Sequence, residues 1–353
     1  MASEYRSVAP SVQYLGTGDG NALLPLRGGG WVARDPVEGA LARFDANEAR
    51  EQTLGTRGAG PGEFGTVVEF ALVNNGSEPF LMLDNGLGRV SRRTASGAVL
   101  EEFSIGMNGL RLWAVGDSSV VVFGATSAGQ NAALFRNGER VGDLANPFSW
   151  IVGLSSRTGT LRRQVGHAVS SEGVIYTVDP YTGDARCLRT DGSSWPPSDI
   201  SLPVCSWSPP EQPFLSDAQR AVIVGHFTSL MKRVSNRLPS AGNDALKQVS
   251  LAMNTDLAAD RAQRVLPSTP TFASDGAVWV ATPWLEDANE LRSAVYRVGP
   301  DGVATLAAVV DAWVIKILVL DNELMVSAIT PEVTTIAWRL PVNPSEVLFL
   351  SNK

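Results

Sequence analysis

The sequence predicts an all-β fold, a single β-propeller of six blades, each built from four antiparallel strands. Short apolar strands alternate with tight turns along most of the 353 residues, and 34 glycines and 21 prolines suit a chain with many turns. The contents of 44% hydrophobic and 18% charged residues are typical of a packed globular protein. Because each repeated unit adds its own small core, a chain of this length can form one domain.

The clearest copy of the repeat runs from Val67 to Ile105. The apolar segment Val67–Val73 is followed by a turn at residues 74–76 and by the strand Phe80–Asp84. A second glycine-rich turn leads to Arg89–Arg93, and a third leads to Val99–Ile105. Four strands of this length joined by glycine turns predict one antiparallel blade.

The same pattern recurs six times with variation. In the third copy, Asn137-Gly138 marks a hairpin, because a type I′ turn requires positive φ at both central positions. The predicted blades are residues 22–55, 66–105, 110–145, 164–206, 268–308 and 314–341.

The sixth predicted blade lacks an outer strand of its own before Pro341. A strand-like segment at residues 11–16 precedes the first blade, and we expect it to complete the last blade and close the ring. Glu346–Leu350 is the alternative candidate for that position.

One long segment departs from the repeat. Residues 209–265 have few strand signals, and Ser216 followed by Gln219 resembles the start of a helix. We therefore predict a helical insertion between blades 4 and 5. Insertions in repeat proteins map to one face of the molecule, often the face that binds a partner.

The junction between the first two blades reads Gly-Pro-Gly-Glu-Phe at residues 60–64, and it is followed by an Asp and an Arg on neighbouring strands. This motif resembles the junction of NHL-type six-bladed propellers, and together with the next blade it looks like the bacterial NHL-like and TolB-like group. Backbone geometry predicts a structural role for the motif, in which the glycines at 58, 60 and 62 permit a tight crossing and Glu63 accepts backbone N–H groups. The residues assigned to this motif are Gly60, Pro61, Gly62, Glu63, Phe64, Asp84 and Arg89.

Charge and hydropathy narrow the classes of partner and location. A net charge of −7 and a pI near 5.0 argue against nucleic acid as a partner. The longest apolar run, Trp313–Leu320, is interrupted by Lys316 and predicts a buried strand, not a membrane span. Residues 1–6 do not resemble a secretory signal, so we expect either a cytoplasmic protein or a processed periplasmic form.

Cys187 and Cys205 form a disulfide in an oxidising compartment or remain two buried thiols, and the sequence leaves both open.

No catalytic motif stands out, and we predict no catalytic, cofactor-binding or metal-binding residues. His167 lies on a predicted inner strand and His226 in the helical insertion, and structural roles are favoured for both. Lactonase-like propellers hold a divalent cation with oxygen ligands in the central channel. The possible donors in this chain are Glu69, Asp117, Asn131 and Asp275, but they do not match that family's pattern position by position.

Aromatic residues near connections give the best indication of a binding surface. Such side chains anchor protein partners when they are exposed. The predicted partner-binding residues are Trp195, Trp207, Phe214 and Trp284.

The leading hypothesis is a non-catalytic interaction or scaffold propeller that presents one face to a protein, as an extrinsic subunit of a larger, membrane-associated assembly. The alternative is a hydrolase or lyase that depends on a channel metal, and a small ligand in the channel is a third interpretation.

Overall fold

The structure of this chain is a computed structural model. The described residues are 6–8, 10–14, 23–35, 38–73, 76–126, 129–145, 166–178, 185–190, 198–207, 270–284, 292–320, 322–329 and 335–351. Within these ranges there is no α-helix, and two short 3-10 turns occur at Arg27–Gly29 and Pro203–Ser206. The predicted helical insertion, residues 209–265, lies outside them.

The described strands form six sheets that follow one another along the chain. Sheet 1 contains β3 (Leu23–Pro25), β4 (Trp31–Arg34), β5 (Leu41–Phe44) and β6 (Arg50–Gly55). Sheet 2 contains β7 (Val67–Val73), β8 (Gly76–Asp84), β9 (Arg89–Arg93) and β10 (Val99–Ser104). Sheet 3 contains β11 (Asn108–Val115), β12 (Ser119–Thr126), β13 (Gly129–Arg136) and β14 (Glu139–Ala145).

The other three sheets repeat this arrangement. Sheet 4 contains β15 (Gly166–Val169), β16 (Val174–Val178), β17 (Ala185–Arg189) and β18 (Ser198–Ile200). Sheet 5 contains β19 (Thr271–Phe272), β20 (Val278–Trp284), β21 (Arg292–Val298) and β22 (Ala304–Val310), with two further strands, β26 (Leu348–Leu350) and β1 (Arg6–Val8). Sheet 6 contains β23 (Trp313–Leu320), β24 (Glu323–Ile329), β25 (Thr335–Pro341) and β2 (Val12–Tyr14).

Clusters of buried apolar side chains join each sheet to the next, because strands with two apolar faces must be covered on both sides. One cluster contains Leu83 of sheet 2 and Leu112 of sheet 3, and another contains Val121 of sheet 3 and Ile175 of sheet 4. Tyr176 of sheet 4 shares a cluster with Val280 of sheet 5, and Trp279 of sheet 5 shares one with Val326 of sheet 6. The cluster of sheets 1 and 2 also contains Met325 and Ala337 of sheet 6. The last sheet therefore packs against the first. The fold is an all-β propeller.

Both ends of the chain take part in the closure. Strand β2 pairs antiparallel with β25, so an N-terminal strand lies at the outer edge of sheet 6. Leu348–Leu350, within the alternative closing segment, lies elsewhere: it pairs in parallel with β22 and, on its other side, with β1. The prediction of four strands in every blade is therefore wrong for sheet 5, which has six. The extra pairings are parallel and join distant segments, so no turn signal in the sequence marks them.

The two cysteines are bridged. Cys187 in β17 is bonded to Cys205 in the second 3-10 turn, with the two Cα atoms 5.7 Å apart. The bridge holds this turn against sheet 4. Two residues later, the Trp207 ring packs 6.0 Å from the Tyr296 ring of sheet 5, measured between centroids. Of the two alternatives left open by the sequence, the structure contains the disulfide.

Removal of this bridge is expected to lower the free energy of unfolding by about 3 kcal/mol, because the closed loop restricts the unfolded chain. The loop spans 18 residues. Urea titration of Cys187→Ala/Cys205→Ala measures the loss. Reduction of the wild-type protein should reproduce it and should leave the variant unchanged. Equal stability of oxidised and reduced wild-type protein would contradict the prediction.

Candidate functional site in the central channel

A cavity lies where the innermost strands converge. The space open to water-sized molecules is about 60 Å³, enough for a few waters. Five of the six sheets contribute to its walls, through β7, β11, β23 and the residues at the ends of β15 and β19. Most of the lining side chains are apolar, and the polar ones are Glu69, Ser171, Thr271 and Lys316.

Lys316 carries the positive charge of this cavity. Its side chain is 3% exposed, and its Nζ donates a hydrogen bond to the backbone oxygen of Phe70 at 2.7 Å. The pairing of β23 with β24 shifts register between Val314 and Lys316. Such a bulge changes the direction of the following side chains and often occurs near functional sites. In the sequence, Lys316 is an interruption of an apolar strand, and no motif there marks it as a site residue.

Glu69 provides the matching negative charge. One carboxylate oxygen lies 3.5 Å from the Lys316 Nζ, and the other accepts the backbone N–H of Leu112 at 3.0 Å. A register shift also precedes Glu69, in the pairing of β7 with β8. The two side chains therefore connect sheets 2, 3 and 6 across the channel.

Burial changes the acid–base behaviour of the lysine. Loss of hydration lowers the pKa of Lys316 to about 8, because a buried ammonium has lost its favourable contact with water. The Glu69 carboxylate opposes this effect, and the charge of Arg111 on β11 adds to it. The channel thus holds an amine that can lose its proton far more easily than a lysine on the surface.

Folding stability should therefore increase with pH through this range. The pKa of Lys316 is about 8 when folded and 10.5 in its reference state, so between these values the unfolded chain binds a proton that the folded chain lacks. The difference in unfolding free energy between wild type and Glu69→Gln/Lys316→Met should rise between about pH 8 and pH 10. Urea titrations at several pH values measure it. A constant difference would show that Lys316 does not titrate there.

The predicted junction motif is held together by side-chain contacts to the backbone. The Glu63 carboxylate accepts the N–H of Gly60 at 2.6 Å, and the Gly58 N–H and Phe64 O are 3.0 Å apart. Gly62 has a φ of 78°, a left-handed conformation that favours glycine. Phe64 is buried against Leu54 and other side chains of the cluster between sheets 1 and 2. These contacts fix the crossing between the two sheets.

Asp84 and Arg89 support the same crossing from the neighbouring hairpin, where they lie directly opposite each other. The fully buried Asp84 carboxylate accepts the N–H groups of Gly65 and Thr66, both at 2.9 Å, and of Leu87 at 3.2 Å. Arg89 donates to the Glu63 backbone oxygen at 2.6 Å and lies 3.8 Å from Asp84. All of these contacts stabilise the backbone.

The other possible metal donors are dispersed. Asp275 accepts the N–H of Ala277 at 3.0 Å and pairs with Arg297, so it belongs to a surface turn. Asp117 lies in the turn after β11, and Asn131 lies in β13. Among the described residues, no three His, Cys, Asp or Glu side chains are grouped to hold a metal ion. The structure therefore does not bring the four possible donors together.

The predicted partner-binding residues have different positions. Trp207 is buried in the cluster between sheets 4 and 5, so the prediction that it is an exposed anchor is wrong. Its ring packs against that of Tyr296, beside the disulfide. Trp284 ends β20, where its backbone pairs with Arg292. Trp195 and Phe214 lie outside the described residues, as does His226. His167 lies on β15, with its backbone paired to Thr177.

Comparisons with known proteins support no specific activity. No family model and no curated protein matches the chain. Solved structures with which it shares a likeness include virginiamycin B lyase from Staphylococcus aureus, at 8% identity and a TM-score of 0.42, covering 96% of this chain and 91% of that one. Regucalcin, a calcium-binding protein from Agrobacterium tumefaciens, gives 11% and 0.46 with 99% of each chain covered. A gluconolactonase from Xanthomonas campestris gives 11% and 0.42, covering 96% and 87%. Likeness at this level does not identify a substrate or a ligand.

The described ranges also contain no helix with the length and hydropathy needed to cross a bilayer.

Proposed function

We propose that this chain is a non-catalytic propeller that presents one face to a protein partner, and that each of its six sheets is one blade of a single domain. The observation that carries the proposal is the pairing of charges in the channel. Lys316 and Glu69 are both engaged in contacts between sheets, so at neutral pH they act as part of the core. We infer that this charged pair at the centre of the channel stabilises the fold.

The disulfide supports a location outside the cytoplasm, because such bridges persist in oxidising compartments. We infer that the protein works in the periplasm or at an equivalent surface, as an extrinsic subunit of a larger membrane-associated assembly. The proposed binding face includes Trp195, Trp284 and Phe214, the last of which belongs to the segment at 209–265 that departs from the repeat.

Photo-crosslinking in the native host tests this proposal. A benzophenone amino acid placed at residue 195, 214 or 284 should crosslink the same protein from all three positions. Val303 in the turn before β22 and Leu100 in β10 are 62% and 57% exposed, and these matched control positions should not crosslink it. The purified partner should then bind the wild-type chain more tightly than Trp284→Ala. Equal crosslinking from all five positions, or from none, would overturn the proposal.

The alternative function is a metal-dependent hydrolase or lyase with its cation in the channel. The Lys316 ammonium already neutralises Glu69, and the second Glu69 oxygen accepts a backbone N–H, so this carboxylate is a poor ligand for a further cation while the pair is formed. Stoichiometric divalent metal in the purified protein, with turnover of a lactone or an ester, would favour the alternative.

A further inference from the structure

Lysine is rare in this chain. Of 29 basic residues four are lysines, Lys232, Lys247, Lys316 and Lys353, and the remaining 25 are arginines. Lys316 is the one lysine among the described residues, where the other ion pairs use arginine as the cation. An arginine in this position would hold its charge permanently, whereas a buried lysine can release its proton and become a nucleophile.

The residues around the Lys316 amine favour its condensation with a carbonyl group, a reaction that releases water. Its Nζ lies 3.5 Å from a Glu69 carboxylate oxygen, which is close enough for that carboxylate to take part in proton transfer. Apolar side chains, among them Phe70, Leu112 and Phe272, line the cavity beside it. An apolar environment lowers the pKa of the lysine and favours a neutral product over an ammonium ion.

We propose that the Lys316 amine captures a small aldehyde in the channel cavity as a reversible imine. The lysine first gives up its ammonium proton. The nitrogen lone pair then forms a bond to the carbonyl carbon, and the carbonyl π electrons move to the oxygen, which takes a proton. The nitrogen loses one proton, which leaves a neutral carbinolamine. Its hydroxyl then takes a second proton and leaves as water when the C–O bond breaks, while the nitrogen lone pair forms the C=N bond. The nitrogen gives up its second proton, so that an amine and an aldehyde become an imine and water. Addition of water reverses the step.

The size of the cavity selects the class of ligand. About 60 Å³ of accessible space admits an aldehyde of a few heavy atoms and excludes an aromatic one. Glu69 acts as a positioning and proton-accepting residue, and the charge of Arg111 disfavours the protonated amine. The capture goes beyond the proposed partner binding and does not depend on it.

Reductive trapping on the intact full chain tests the proposal. The protein is treated with acetaldehyde and cyanoborohydride near neutral pH, and peptide mapping by mass spectrometry measures modification at each lysine. We expect Lys316 to be modified at least roughly tenfold faster than Lys353, because a lowered pKa leaves more amine unprotonated. The rate at Lys316 should saturate with acetaldehyde, as binding in a cavity requires, and the rate at Lys353 should rise linearly.

Two controls distinguish binding of the aldehyde in the cavity from simple reactivity of the Lys316 amine. Naphthaldehyde should modify Lys353 and leave Lys316 unmodified, because the larger molecule does not fit. Glu69→Gln should move the pH midpoint of Lys316 modification to lower pH, since the carboxylate stabilises the ammonium form. Thermal melts confirm that this variant is folded. Modification of Lys316 only after denaturation, or at a rate that stays linear in acetaldehyde, would overturn the proposal.

Discussion

Replacing Lys316 with methionine is expected to lower the free energy of unfolding by about 3–5 kcal/mol, because it leaves a buried carboxylate without its partner. Glu69 is almost fully enclosed, and its charge would face a channel from which the ammonium has been removed. The Phe70 backbone oxygen also loses its 2.7 Å hydrogen bond from Nζ. Urea titration measures the loss.

A double-mutant cycle distinguishes loss of the pair from loss of packing. Glu69→Gln/Lys316→Met removes both charges and keeps an oxygen that accepts the Leu112 N–H. We expect this variant to recover at least about half of the loss, since a missing ion pair costs far less than an unpaired buried charge. Equal stability of the single and double variants would show that the carboxylate does not cause the effect.

Replacing Asp84 with alanine is expected to cost about 3–5 kcal/mol, because three partly buried backbone N–H groups lose a fully buried acceptor at once. Those groups belong to Gly65, Thr66 and Leu87. The crossing between sheets 1 and 2 should therefore loosen first, which hydrogen exchange of these amides would reveal. Urea titration measures the total loss.

Asp301→Ala is the matched control for this prediction. Asp301 also accepts a backbone N–H within a turn, from Val303 at 3.1 Å, but it is exposed, so water can replace the lost acceptor. Its substitution should cost less than about 1 kcal/mol. Asp84→Asn should fall between the two, because the amide keeps one oxygen acceptor. Similar losses for Asp84→Ala and Asp301→Ala would show that burial does not set the cost.

Local signals made most of the fold predictable. The turns at Asn137-Gly138 and Gly276 mark hairpins whose strands are close in the chain, and positive φ at Asn137, Gly138 and Gly276 explains why these residues occur there. The two added strands of sheet 5 were not predictable. Arg6–Val8 and Leu348–Leu350 are three residues long, pair in parallel and come from opposite ends of the chain.

The channel site was much less predictable than the fold. Glu69 was considered as a metal donor and Lys316 as a break in an apolar run, but their proximity depends on a contact across 246 residues, between Lys316 and Phe70. A single charged residue within an apolar inner strand, in a chain with four lysines, was the available signal. The burial of Trp207 was not predictable for a related reason, because its ring packs against Tyr296, which is distant in the sequence.

The interleaving of the two chain ends has a consequence for the order of events during synthesis. Strands β1 and β2 pair with residues between 335 and 350, so they must wait unpaired until those residues have been made. The consecutive strands of each sheet can pair as they emerge, because their contacts are local, whereas ring closure requires a loop of more than 300 residues. We expect the newly made chain to pass through an open ring whose exposed edges need protection until both ends have docked.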